Sequence, residues 1–350
     1  MGRLYDKILN LKQEVSQIAS NETLAAFDGD FCKILDDCDD PFIQDRVDKT
    51  LNELERIKDF EYSEHARTAY ENYNEAVTYF SFKQRNVDIH DIPEASSSTP
   101  DFYINADCSI VPDDTEMCKI YMEVKTLGFA DGNNIYRKAQ EDAFNAQVEL
   151  EKQHMQGKRI STAERVVTPL GNTDLQGEIE IINKKISNNV KQSQFEYGNS
   201  QDTILFVDLN QLWHPRNIEE CLPVYPDLDR DCTISGRLWN VVFGEEGERV
   251  FGMHSFVGKG SVDNHLTRNG VMLDHQYVKG VIFGLGRKLE EKKYFGFYRY
   301  EEQELPPAVF IQKFCDFRND DRNRYGYMYF EQEKARLIAR FANENNGKQE

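Results

Sequence analysis

Residues 120–128 read IYMEVKTLG, an apolar run interrupted by a carboxylate and an ammonium two positions apart. With the two-residue period of a strand, Ile120, Met122 and Val124 point to one side, and Tyr121, Glu123 and Lys125 to the other. Upstream, residues 98–107 read STPDFYINAD and split the same way. Phe102 and Ile104 share one face, while Asp101, Tyr103 and Asn105 share the other, with Pro100 directly before the acid. The turn-forming PDDTEM (112–117) between the runs suits antiparallel pairing, which brings Asp101 and Glu123 onto one polar face beside Lys125. Two carboxylates so placed repel each other unless a cation lies between them. A hard divalent ion with oxygen ligands, Mg²⁺ or Mn²⁺, is the expected occupant. Such an ion activates water and offsets phosphate charge, and an adjacent ammonium holds the attacking water. These are the minimal parts for phosphodiester hydrolysis.

Outward from these strands the pattern is mixed. Residues 1–60 read as helices broken by the acidic loop ILDDCDDPF, with Val47, Leu51, Leu54 and Ile57 at helical spacing. SEHARTAYENYNEAVTYFSF (63–82) is a further helix, striped by Ala69, Tyr73, Ala76, Val77 and Phe80. NVDIHDIP (86–93) alternates as a strand. Residues 128–177 form a helical excursion, followed by one amphipathic helix over 177–195 with Ile179, Ile182, Ile186 and Val190 on its buried stripe. TILFVDLNQLW (203–213) is apolar enough for a central strand covered on both faces. In the C-terminal half, RLWNVVFG, RVFGMHSFVG, GVMLD, VKGVIFGLG and AVFIQKF read as strands. EQEKARLIARFANEN reads as a closing helix.

Pro100-Asp101 followed by Glu123-Val124-Lys125 resembles the PD-(D/E)xK motif of the restriction-endonuclease-like superfamily. The resemblance implies an α/β fold with a mixed central sheet flanked by helices, here with an added helical N-terminal region and a β-rich C-terminal half. It implies that Asp101, Glu123 and the Val124 carbonyl hold the metal and that Lys125 is catalytic. It also nominates Glu75, on the helix before the first core strand, as a supporting ligand, with Glu71 in reserve. Gln192, and less firmly Lys191, match the polar residue that members carry on the helix before the next buried strand. The expected organisation is a helical extension (1–60), a nuclease-like core (61–300) with an insertion at 128–177, and a C-terminal strand and helix (301–350). The expected reaction is Mg²⁺- or Mn²⁺-dependent cleavage of DNA, ahead of RNA, with a role in defence against foreign DNA. A homodimer or an activating protein partner is the expected assembly. A second reading stays open: a catalytically silent or partner-activated binding module on the same fold.

Composition limits the alternatives. With 61 Asp+Glu against 42 Lys+Arg the formal net charge is −19, opposite in sign to the basic footprint of most nucleic-acid binders. A nuclease of this charge must neutralise phosphate locally. Basic residues at Arg137, Lys138, Lys158, Arg159, Lys184, Lys185 and Lys191 are the candidates for a local groove. Seven cysteines without a C-x-x-C pair indicate reduced thiols and a cytoplasmic protein, with no membrane association expected.

Overall fold

A computed structural model describes residues 2–15, 22–57, 64–93, 99–110, 115–128, 133–158, 175–197, 202–211, 224–227, 232–235, 237–248, 250 and 265–322. The chain folds as α/β around a seven-stranded mixed sheet. The N-terminal helices are α1 (Arg3–Val15), α2 (Glu22–Ala26), α3 (Gly29–Asp36), α4 (Pro41–Glu55) and α5 (Glu64–Gln84). The strands β1 (Asp88–Asp91), β2 (Phe102–Asp107) and β3 (Met117–Thr126) follow as an antiparallel meander. Then come α6 (Asn133–Met155), α7 (Leu175–Asn189), α8 (Gln192–Phe195) and β4 (Thr203–Asp208). A separate hairpin of β5 (Val224–Asp227) and β6 (Cys232–Ser235) precedes α9 (Arg237–Phe243) and α10 (Val271–Asp274). The described chain closes with β7 (Gly280–Leu285), β8 (Lys293–Tyr298), α11 (Pro306–Phe314) and β9 (Phe317–Asp320).

The sheet order is β1-β2-β3-β4-β7-β8-β9, and its centre, β3-β4-β7, is parallel. Parallel neighbours need long crossovers, which the helices supply, so both faces of the centre are covered. Every residue of β4 and β7 is buried. Ile204 and Phe206 pack with α1–α5 and α11 in one apolar cluster, while Leu205 and Val207 pack with α7, α9 and α10 in another. The N-terminal helices therefore share one core with the sheet: Leu4, Phe31 and Val47 lie in the same cluster as Ile104 and Met122. The edge strand β9 pairs with β8, which ties residues beyond 300 to the same sheet.

Two helix starts follow from local chemistry. Asp28 accepts from the amides of Asp30 and Phe31 at the head of α3, and Asp40 accepts from Phe42 and Ile43 ahead of Pro41 at the head of α4. No helix among the described residues is long and apolar enough to cross a membrane. Cys32, Cys38, Cys108, Cys118 and Cys315 are free thiols.

In the C-terminal half VKGVIFGLG forms the expected strand β7, but three other runs read as strands are helices. RLWNVVFG is the helix α9, buried on nearly every side, with the Trp239 indole donating to the Asp320 carbonyl at 2.9 Å. AVFIQKF lies in α11, opened by Pro306 and Pro307, and VMLD forms α10. A short apolar run buried all round carries no period to separate strand from helix. KYFGFY, unassigned from sequence, is the buried strand β8. Most of RVFGMHSFVG and the closing helix at 331–345 lie outside the described residues.

Candidate functional site

Asp101 and Glu123 come together through the meander. Phe102 pairs with Met122 and Tyr103 with Tyr121, so the same register carried one residue further sets Asp101 opposite Glu123. Ile120, Met122 and Val124 are buried in the core beneath, as the alternation requires. The Val124 amide donates to Asp101 Oδ2 at 2.7 Å, which locks the acid against the segment holding Glu123 and Lys125.

Glu123 is only 1% exposed, so an ordinary solvated strand face is not what surrounds it. Its Oε1 accepts from Lys125 Nζ at 2.5 Å and from Gln194 Nε2 at 2.5 Å. Its Oε2 is buried with no hydrogen-bond partner among the described residues. Burial first, and the Asp101 charge second, push the Glu123 carboxyl up to about 7, against the opposing pull of Lys125.

Glu75, on α5, joins the same field. Burial and then Asp101 push its carboxyl up to about 8, while Arg46 opposes the shift. The Arg46 Nε lies 2.9 Å from Glu75 Oε2, but the pair lacks hydrogen-bond geometry: it is an ion pair at a poor angle. Glu71, one turn earlier on α5, is also raised by burial, with Arg67 and Lys125 pulling the other way.

These groups line one cavity of about 720 Å³. Arg67, Glu71 and Glu75 enter from α5, Asp101 and Glu123–Gly128 from the sheet, and Lys184, Lys185, Asn188 and Asn189 from α7. The acids and the α7 cations thus share one space. Among the basic candidates, Lys184 and Lys185 reach it. Lys158 and Lys191 are exposed outside its lining, Arg159 lies outside the described residues, and the side chains of Arg137 and Lys138 are not described.

Gln192 is displaced from the expected position. It is exposed, bonds to Glu196 at 2.6 Å and does not line the cavity. The expected single helix over 177–195 breaks at Lys191, whose extended backbone (φ −117°, ψ 128°) separates α7 from α8. Phe195 buries against Tyr277 and fixes α8, and Gln194 is the residue that reaches Glu123. A sequence signal for Gln194 existed: it lies four residues after Val190, on the continuation of the buried stripe, where Gln192 does not.

The donor set suits a hard cation. It is all oxygen, it contains a buried carboxylate oxygen without a partner among the described residues, and the Asp101 charge raises the proton affinity of Glu123 and Glu75. Among the described residues no group of three or more His, Cys, Asp and Glu side chains forms a ready metal cage. The candidate ligands are instead two carboxylates and the Val124 carbonyl, with Glu75 behind them. No family model matches the chain, and neither a curated protein nor a solved structure matches it at a significant level.

Proposed function

We propose that the chain is a divalent-metal-dependent phosphodiester hydrolase with a restriction-endonuclease-like core, acting on DNA. The observation that carries this reading is the Glu123 carboxylate: buried, opposite Asp101, bonded to Lys125 and Gln194 through one oxygen, and bare on the other. Burying a carboxylate in a strand is costly unless a counter-charge meets it. Lys125 meets only one of its two oxygens. The element order α5, β1–β2–β3, α7–α8, β4, with Glu75 on α5 and Glu123 and Lys125 on β3, supports the reading, while Gln194 stands where Gln192 was expected.

Asp101, Glu123 and the Val124 carbonyl would hold Mg²⁺ or Mn²⁺, which supplies a Lewis acid for the scissile phosphate and the attacking water. Lys125 contributes the ammonium that orients the water and offsets charge on the phosphoryl oxygens. Gln194 holds Glu123 in its rotamer from above the sheet. Lys184 and Lys185 offer cations to the phosphates from the cavity lining, a local answer to the −19 net charge.

The test is cleavage of duplex DNA, single-stranded DNA and RNA with Mg²⁺ or Mn²⁺, beside Lys125→Ala. Metal-dependent cutting that the variant loses supports the assignment. Folded protein that binds metal and cuts none of the three favours the silent or partner-activated module, the reading that the acidic net charge favours.

A further inference from the structure

The sheet face that carries Asp101 and Glu123 extends beyond them. One register level crosses the whole meander, with His90 opposite Tyr103 and Tyr103 opposite Tyr121. Alternation puts these three rings on the face of Asp101 and Glu123, because Tyr103 follows Asp101 by two residues and Tyr121 precedes Glu123 by two. His90 and Tyr103 stack at 4.8 Å with 18° between their planes, and Tyr197 meets Tyr121 edge-on at 5.3 Å. At the next level outward Asn105 opposes Lys119, whose Nζ lies 3.8 Å from the Tyr103 centroid and 5.7 Å from that of Tyr121.

None of these side chains belongs to an apolar core. The cluster under α7, α9 and α10 contains no residue of β1, β2 or β3. The rings are half-buried and Lys119 is exposed, so the row is not explained by packing.

We propose that this row is a track for a single-stranded nucleic acid, whose bases stack on Tyr103 and Tyr121 while its backbone reaches the carboxylate site. Same-face positions along a strand are roughly 6.6–6.8 Å apart, on the scale of one extended nucleotide, so a base on Tyr121 sets the neighbouring phosphate near Glu123. A base–aromatic stack is worth more than an exposed lysine–ring contact, so a base displaces Lys119 from Tyr103. The released ammonium then meets a backbone phosphate. Asp88 ends the track: its carboxylate holds Asn105 at 2.8 Å and His90 at 2.9 Å at the outer corner. Stacking also suits a chain of net charge −19, since it draws affinity from base faces as well as from phosphate neutralisation.

The inference rests on the hydrolase reading for its link to the carboxylates, and its test is made without turnover. Binding of a short fluorescein-labelled oligothymidine to the full chain is followed by anisotropy in EDTA, against a duplex of equal length. The single strand binds tighter than the duplex. Tyr103→Leu and Tyr121→Leu each weaken it roughly 5- to 150-fold, the range of one lost base–aromatic stack, with unchanged melting temperatures. Tyr121→Phe retains binding. Lys119→Ala flattens the dependence of log affinity on log salt by roughly 0.7. Duplex bound as tightly as the single strand, Leu variants that bind like wild type, or no binding to either polymer overturns the track. Binding that the Leu variants lose, in a protein that cleaves nothing with metal, upholds the track and removes the hydrolase.

Discussion

The carboxylate of Asp101 occupies the place of a strand carbonyl: Val124, which the register sets opposite Pro100, donates its amide to Asp101 Oδ2 at 2.7 Å. The sheet ladder between β2 and β3 ends at Phe102, and the Asp101 side chain continues it by one bond. That bond aims the acid at Glu123 and fixes the residue between Glu123 and Lys125.

Asp101→Asn therefore keeps the acceptor for Val124 and removes only the charge. The variant folds, and without metal at pH 8 it is more stable than wild type by on the order of 1 kcal/mol, as repulsion on Glu123 and Glu75 is relieved. Mg²⁺ no longer raises its melting temperature. Thermal melts with and without Mg²⁺ check both signs, and an unstable variant that still responds to Mg²⁺ would refute the account.

Gln194→Ala and Gln192→Ala separate structure from motif. Gln194 touches Glu123, so its loss lowers metal-dependent cleavage by about 10- to 100-fold, as loss of a residue orienting a ligand does. Gln192→Ala stays near wild type, since its partner is Glu196 on the surface. Equal rates for the two variants would remove Gln194 from the site.

Lys125→Ala lowers kcat by roughly 10²- to 10³-fold, the scale for removing one charge-stabilising donor. It also strips Glu123 of its counter-charge, so the Glu123 carboxyl rises further. The variant is then less stable at pH 8 than at pH 6 by a wider margin than wild type, measured by urea unfolding at both pH values.

The metal-free protein loses stability as pH rises. Glu123 at about 7 and Glu75 at about 8 are both raised above their usual carboxylate range, so the folded state binds more protons than the unfolded chain between those limits. Their contribution is full at low pH, below the unfolded values, and is lost as pH passes through 7 and 8. Metal binding needs the ionised forms, so the rise in melting temperature caused by Mg²⁺ grows from pH 6 to pH 8.5. A rise that is flat across this range would exclude these two acids as the linked groups.

Asp208, the strand partner of the cavity-lining Thr126, is fully buried at the end of β4, and Lys292 Nζ lies 3.9 Å from its Oδ2. Burial raises the acid and lowers the lysine, each favouring its neutral form, while each partner opposes the other's shift. Lys292→Met removes the nearest counter-charge, leaves the buried acid held by the Asn210 amide and side chain, and destabilises the fold by about 3–5 kcal/mol. Adding Asp208→Asn returns most of that loss, and denaturant titration of the single and double variants reads the difference.

The period of two in residues 98–107 and 120–128 was enough to pair Asp101 with Glu123 and to set Val124 in the core. Alternation is a property of local backbone geometry, so it survives without knowledge of the rest of the chain. The continuous apolarity of TILFVD likewise marked a strand covered on both faces. The same reasoning failed at RLWNVVF and AVFIQKF, where burial on every side erases the period, and at Gln192, where a break at Lys191 decides which amide faces the sheet. Sequence alone could put an acid, an acid and a lysine on one strand face. Only the tertiary structure decided that α8 closes over Glu123, that one of its oxygens is left without a partner, and that His90, Tyr103 and Tyr121 stand in one row beside it. Those relations depend on which distant segments cover a surface, and coverage is set by packing between elements, which no local pattern encodes.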